Sequence, residues 1–268
     1  MTGSDTAPPV NSFQKLALIV ADSDRAREAA DRLEDLAEWV PLEQAEAVVV
    51  LGGDGTMLDA MHRIIDQGLR TPVYGLNLGT VGFLMNRYRR HAQLLERLAR
   101  ARAMAVRPLK MVAVTRDGRR ESLYAINEVS LLRETRQTAK IEVSVNEKVR
   151  IAELSADGVL LSTPVGSTAY NYSASGPILP LDSLTLALTP ISPFRPRRWR
   201  GAILPDRSRV SFRVLEADKR PVAAVADFKE LRDVAEVHLE IDSTRELTLL
   251  FDPGHALDER IVAEQFAY

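Results

Sequence analysis

Cysteine is absent from this sequence, which excludes a disulfide framework and every thiolate chemistry and makes an ordinary reducing compartment the simplest home. Long apolar runs are missing as well. None approaches the roughly 20 residues of a membrane helix, and the polar start 1–11 lacks the basic-then-apolar order of a secretory signal. A soluble, unprocessed, cytoplasmic chain with no membrane partner is expected. Histidine is sparse: His62, His91, His238 and His255 are scattered without metal-ligand spacing, so no protein-built metal site is expected. Neither sign of charge dominates. Thirty-five Lys and Arg against 37 Asp and Glu give a net charge of −2, which removes the global reason to expect nucleic acid. Arg195, Arg197, Arg198 and Arg200 do crowd one stretch; it reads as a solvated basic loop, with contact to phosphate or a neighbouring subunit as the alternative.

What is present suits a globular protein. The 268 residues are 46% apolar and 27% charged, enough for one large core or two modest ones. Residues 15–21 (KLALIVA) read as a buried parallel strand, and 24–40 follow with helical spacing at Ala29, Leu33, Leu36 and Val40, capped by Ser23 or Asp22. A second strand at 47–51 runs into Gly52-Gly53-Asp54-Gly55, and Met57, Leu58, Met61, Ile64 and Ile65 then form one helix face closed by Gly68. A third strand at 72–76 enters another glycine turn (75–83, GLNLGTVGF), and 91–103 resumes a helix. Strand alternating with helix implies a parallel sheet covered by helices. Beyond Arg107-Pro108 the pattern changes to strands at 110–116, 122–132, 140–145, 149–154, 158–163, 209–214 and 234–241, which implies a second, mostly antiparallel domain. Periodicity does not place the tail 247–268 beyond one strand and a short helix.

The first glycine turn follows a buried strand and opens a helix, where backbone N–H groups and the positive helix end can hold phosphate. A carboxylate there repels phosphate unless it holds a metal or takes a proton from an attacking hydroxyl, so Asp54 suggests phosphoryl transfer; a tight turn with Asp54 as helix cap is the alternative. Neither a P-loop nor the dinucleotide-binding glycine spacing is present. The second turn, with Gly75, Gly79 and Gly82, by itself reads as a loop needing glycine for its backbone angles. Residues 157–180 (DGVLLSTPVGSTAYNYSASGPILP) have too little apolar bulk for a core and suit a flat polar ligand; an ordered surface loop is the alternative. Asn127-Glu128 could serve the two hydroxyls of a ribose, but neighbours in a regular strand face opposite ways, so joint action needs a bend, bulge or strand end. Otherwise they are an exposed polar pair.

Together, GGDGTML at 52–58, GLNLGTVGFL at 75–84, Asn127-Glu128, the 157–180 tract and TPISPFRPRRWRGAILP at 189–205 resemble the NAD kinase family in order and spacing. Phosphofructokinases and lipid kinases share the glycine turn but lack the hydroxyl-rich tract. The resemblance implies an α/β plus β fold: a Rossmann-like α/β domain over 1–107, to which 247–268 returns, and a β-sandwich-like dinucleotide-binding domain over 108–246. It implies transfer of a phosphoryl group from ATP with Mg2+, or from polyphosphate, to the adenosine ribose 2′-hydroxyl of NAD, giving NADP, by a homodimer or homotetramer. Carried over motif by motif, Asp54 is the catalytic base or orienting group, and Gly52, Gly53, Gly55 and Thr56 surround the phosphates. Phe83 lies beside the base in the second glycine turn, Asn127 and Glu128 hold ribose and diphosphate-side groups, and Asp157, Thr163, Ser167, Thr168, Ala169, Tyr170 and Ser173 belong to the dinucleotide tract. Asp227 aligns with an aspartate that usually begins an Asp-Gly pair; here Phe228 follows, so its turn must differ. Val165 replaces a frequent threonine and Ser175 a frequent glycine. A lipid kinase and a nucleotide sensor without catalysis are the rival functions; phosphorylation of lipid, or ligand binding with no product, would separate them.

Overall fold

The computed structural model describes residues 13–79, 82–89 and 93–253, in two compact units. One spans the chain up to Val106 and resumes at Glu246; the other spans Arg107–Arg245. Within the first, β1 (Lys15–Val20) leads through α1 (Asp24–Asp31) and the short β2 (Glu38–Trp39) to β3 (Ala47–Gly52). Every residue of β3 is buried, as a central parallel strand covered on both faces requires. The α1 helix begins where Ser23 Oγ accepts the Ala26 N–H at 3.3 Å. It is much shorter than the 24–40 spacing implies. Residues 38 and 39 instead pair in parallel with β1, and the Trp39 indole N–H donates to the carbonyls of Leu33 (3.0 Å) and Glu34 (3.1 Å). Ladder bonds and an indole donor therefore replace the helical bonds that a longer α1 would make.

The α2 helix (Asp54–Asp66) buries Met57, Met61, Ile64 and Ile65 and ends at Gly68, whose φ of +67° favours glycine. Then come β4 (Val73–Asn77), β5 (Asn86–Arg87), α3 (Leu94–Arg100) and β6 (Arg102–Val106). The helix expected over 91–103 thus stops at Arg100, because 102–106 pair as an edge strand; His91 lies outside the described residues. Gly75 and Gly79 are not in the left-handed region, which corrects the reading from backbone angles at these two positions. Steric room is the reason at Gly75 and Gly82: a Cβ would lie 2.4 Å from Met85 Sδ at Gly75 and 2.9 Å from Met85 Cγ at Gly82.

In the second unit, β7 (Leu109–Thr115) and β8 (Arg120–Ala125) precede β9 (Glu128–Arg133), β10 (Ala139–Val145), β11 (Lys148–Ala156) and β12 (Gly158–Ser162). After the short α4 (Tyr170–Ser173) follow β13 (Thr185–Ile191), β14 (Ala202–Pro205), β15 (Val210–Val214), β16 (Val222–Ala226), β17 (Lys229–Leu231) and β18 (Val234–Ile241). They form two antiparallel sheets in the orders β11-β10-β15-β18-β7-β8 and β14-β13-β12-β9-β16-β17. Alternate residues such as Met111, Ile141 and Phe212 from one sheet and Val129, Leu161 and Ala224 from the other share one core, making a β-sandwich. The segment 122–132, which reads as one strand, is two: the chain leaves one sheet after Ala125 and enters the other at Glu128.

The chain then returns to the first unit as β19 (Leu247–Phe251), inserted between β4 and β6 in a mixed seven-stranded sheet of order β2-β1-β3-β4-β19-β6, with β5 also on β4. Just beyond β19, Asp252 accepts the Tyr74 hydroxyl at 2.7 Å and pairs with Arg97 at 2.6 Å, both ionic side chains being nearly buried. Burial and the neighbouring Asp252 push the Tyr74 phenol well above its ordinary range, so it stays a donor. The fold class is therefore α/β plus β, with the described part of the tail in the first sheet. Residues 254–268 of that expected return lie outside the described residues.

Candidate active site

In the first unit the turn after β3 is built from glycines with different tasks. At Gly52 a Cβ would lie 2.5 Å from Thr56 Oγ1, so this glycine lets the first turn of α2 close on the strand. Among the described residues, no atom lies within 4 Å of a Cβ built at Gly53 or Gly55. Their backbone thus faces open space at the N-terminus of a 13-residue helix, a setting for phosphate. Gly53 is the N-cap and Asp54 the first helical residue, which disposes of Asp54 as the cap. Its carboxylate is held from the second glycine turn: Oδ2 accepts the Phe83 N–H at 2.8 Å and Oδ1 the Leu84 N–H at 3.0 Å. Two donors on two oxygens fix the plane of the carboxylate. Thr80 and Val81 of that turn lie outside the described residues.

In the second unit the step between sheets supplies the strand end that Asn127-Glu128 needs. Asp227 holds it open: Oδ2 accepts the Ile126 N–H at 2.7 Å, and Oδ1 accepts those of Asn127 (2.9 Å) and Glu128 (3.3 Å). Asp227 and Phe228 make the two-residue turn between β16 and β17, with Asp227 at a φ of +54° and Phe228 exposed. Aspartate tolerates this left-handed conformation better than most residues.

Glu128 is buried, with Oε2 lacking a hydrogen-bond partner among the described residues. Burial first, then the nearby Asp227 charge, raise its carboxyl to about 8, partly opposed by the Tyr170 backbone N–H. An orphaned buried oxygen is the kind of atom that a ligand hydroxyl satisfies. The raised value also makes stability depend on pH. Below about 4.5 folded and unfolded chains both carry the proton; as pH rises from there to about 8 only the unfolded chain releases it, so stability falls and then levels off. Glu128→Gln removes this loss. Thermal melts should show the variant gaining on the native chain between pH 5 and pH 8, by about 1.4 kcal/mol for each step of one in pH, and parallel curves would overturn the assignment.

The hydroxyl-rich tract largely bonds itself. Thr163 Oγ1 donates to Ile126 O at 2.6 Å and accepts the Gly166 N–H, while Ser167 Oγ donates to Pro164 O at 2.7 Å and accepts the Leu179 N–H at 3.0 Å. Both side chains are buried, and these bonds of their hydroxyls shape the loop. Thr168, Ala169 and Tyr170 are half-buried and Ser173 is exposed. Burial and the charges of Glu128 and Asp157 raise the Tyr170 phenol. Asp157 sits in the bend before β12 and pairs with Arg133 at 2.5 Å. Asn171, which sequence reasoning missed, is the hub: its amide donates to Ser167 O and Pro177 O and accepts from the Thr189 hydroxyl at 2.7 Å. Its only signal was an amide alone in a tract of hydroxyls. Arg195, Arg197, Arg198 and Arg200 are all exposed, and Arg195 and Arg197 stack near the Phe194 ring.

The family model described as the ATP-NAD kinase N-terminal domain matches residues 14–103, and that for the ATP-NAD kinase C-terminal domain matches 126–249. The chain belongs to the NAD kinase family. It is 61% identical over 255 residues to an NAD kinase of Rhizorhabdus wittichii, covering 95% of this chain and 98% of that one. It is 56% identical over 254 residues to one of Zymomonas mobilis, with the same coverage. In fold it resembles a yeast NADH kinase complexed with NADH, with a TM-score of 0.80 at 20% identity over 99% of this chain and 92% of the other. An NAD kinase from Archaeoglobus fulgidus in complex with ATP gives 0.75 at 20% identity, over 93% and 98%. Two departures from the NAD kinase pattern gain a physical reading. Ser175 has a φ of +63°, which explains why glycine is frequent there, and Val165 is buried, so its loss of a hydroxyl lies inside the loop.

Proposed function

We propose that this chain phosphorylates the adenosine ribose 2′-hydroxyl of NAD, with ATP or polyphosphate as donor, and releases NADP. The observation that carries the reading is the Asp54 carboxylate, fixed by two backbone donors at the mouth of an open glycine turn on a helix N-terminus. In this reading Asp54 takes the 2′-hydroxyl proton as the ribose oxygen bonds to the terminal phosphorus and the bond to the leaving phosphate oxygen breaks, so ADP or a shortened polyphosphate departs. Backbone around Gly52, Gly53, Gly55 and Thr56 receives donor phosphates. Mg2+ arrives with ATP as part of the substrate and offsets phosphate charge. Asn127 and the orphaned oxygen of Glu128 bond ribose hydroxyls, while Thr168, Ala169, Tyr170 and Ser173 line the dinucleotide, and Thr163, Ser167 and Asp227 hold these groups in place. Phe83 flanks Asp54, and we assign Asp157 to the dinucleotide side as well.

We place the enzyme in the cytoplasm as a homodimer or homotetramer. Among the described residues no helix is long and apolar enough to cross a membrane. Purified protein with NAD, Mg2+ and either ATP or polyphosphate should form NADP in a coupled dehydrogenase assay; absence of product with both donors would overturn the proposal. Gly53→Ala tests the phosphate cradle. Its methyl meets no atom of the described residues within 4 Å, so the melting temperature should hold while KM for ATP rises at least about tenfold. An unchanged KM would remove Gly53 from the donor site.

A further inference from the structure

Asn86 is fully buried in the first unit, two residues after the second of the N–H groups that hold Asp54. Both ends of its amide are used at the end of the C-terminal strand: Nδ2 donates to Leu250 O at 2.9 Å, and Oδ1 accepts the N–H of Asp252, just beyond β19, at 2.9 Å. A buried amide costs free energy unless both ends are satisfied, and an apolar side chain of similar size would fill the space without that cost. What the amide adds is direction. It fixes the position of its own backbone along β19 as a ladder residue would.

Asn86 acts beside a small set of named anchors on the same segment. Strand β5 makes only two ladder pairs with β4, Leu76↔Asn86 and Asn77↔Arg87. Further anchors include Met85, seated over Gly75 and Gly82, and the Arg87 carbonyl, which accepts from Arg97 at 2.8 Å. At the start of this run, Phe83 and Leu84 present their N–H groups to Asp54. A displacement at Asn86 therefore moves the donors that set the plane of the carboxylate.

We propose that Asn86 is a positioning residue for phosphoryl transfer, tying to the C-terminal strand the backbone clamp that orients Asp54. The inference rests on the reading of Asp54 as the group that receives the hydroxyl proton. It makes β19 part of the catalytic apparatus without contact with substrate.

The test is a double-mutant cycle on the full chain, with steady-state kinetics taken well below every melting temperature. Asn86→Ala should lower kcat by about 10- to 100-fold, as expected for a small misplacement of a catalytic group, with KM for NAD and ATP unchanged. In an Asp54→Asn background the same substitution should have no further effect on the residual kcat. Leu33→Ala serves as the stability control: it opens a cavity in the core of the first unit and removes none of the bonds named for this segment, so the melting temperature should drop while kcat holds. If Asn86→Ala does not fold, Asn86→Ser, which keeps one polar atom at the site, carries the same expectation. An equal loss of kcat in both backgrounds, a kcat that tracks melting temperature across the set, or no loss at all would overturn the inference. An Asp54→Asn enzyme with native kcat would instead sink the reading beneath it.

Discussion

Asp54→Asn should lower kcat by about 10²- to 10⁴-fold, the range that a positioned general base contributes, with KM for NAD nearly unchanged. Asparagine is isosteric and its carbonyl oxygen can still accept one of the two N–H groups of Phe83 and Leu84, so the turn should keep its shape. What disappears is a group able to take the proton as the new bond to phosphorus forms. Isothermal titration with NAD should give the native Kd for the variant, since the interaction lost is made in the transition state. If kcat stayed within about threefold of native, the hydroxyl proton would have to leave by another route.

Gly166→Ala should weaken productive binding of the dinucleotide. A Cβ at this position would stand 2.2 Å from Asn127 O and 2.5 Å from Asn127 Cα, both backbone atoms that cannot rotate away. The loop must lift, and lifting it breaks the Thr163 bonds to Ile126 and Gly166 and withdraws the Tyr170 N–H from Glu128. The expected outcome is a rise in KM for NAD of at least about tenfold together with a loss of about 1–3 kcal/mol in stability, the usual cost of overpacking a filled interior. Gly53→Ala is the matched control for stability and for KM for NAD alone, because its added methyl meets no atom of the described residues within 4 Å. A Gly166→Ala enzyme with native KM and melting temperature would show that the loop does not rest on Asn127.

The comparison of these two glycines shows what patterns of residues can and cannot convey. Gly53 and Gly166 look alike in sequence, each in a polar motif, but a Cβ at one meets no described atom within 4 Å and the other is wedged on the backbone of Asn127, 39 residues earlier. The hydroxyls of Thr163 and Ser167 illustrate the same limit. Their type suits a polar ligand, yet their bonds run to Ile126 and to Leu179, partners that no local spacing reveals. Helix length is hard to read for a related reason: the apolar spacing through Val40 is compatible with a helix until pairing with β1 claims residues 38 and 39. Strands β13, β14, β16 and β17 have no counterpart among the expected segments. They acquire strand geometry only from neighbours such as β12 and β9.

The sequence by itself determined the glycine turn after a buried strand, the carboxylate within it, the change from α/β to β pattern near Arg107 and the family to which the chain belongs, because each depends on residues close together or on motifs kept in order. Tertiary structure decided how those residues are aimed. The Asp54 carboxylate is turned by N–H groups 29 and 30 residues away, the Asn127-Glu128 step is held open by Asp227 about 100 residues on, and Asn86 is bound by a strand more than 160 residues later. A hydrogen bond specifies direction as well as partner, and direction is set only when the chain has brought both groups together.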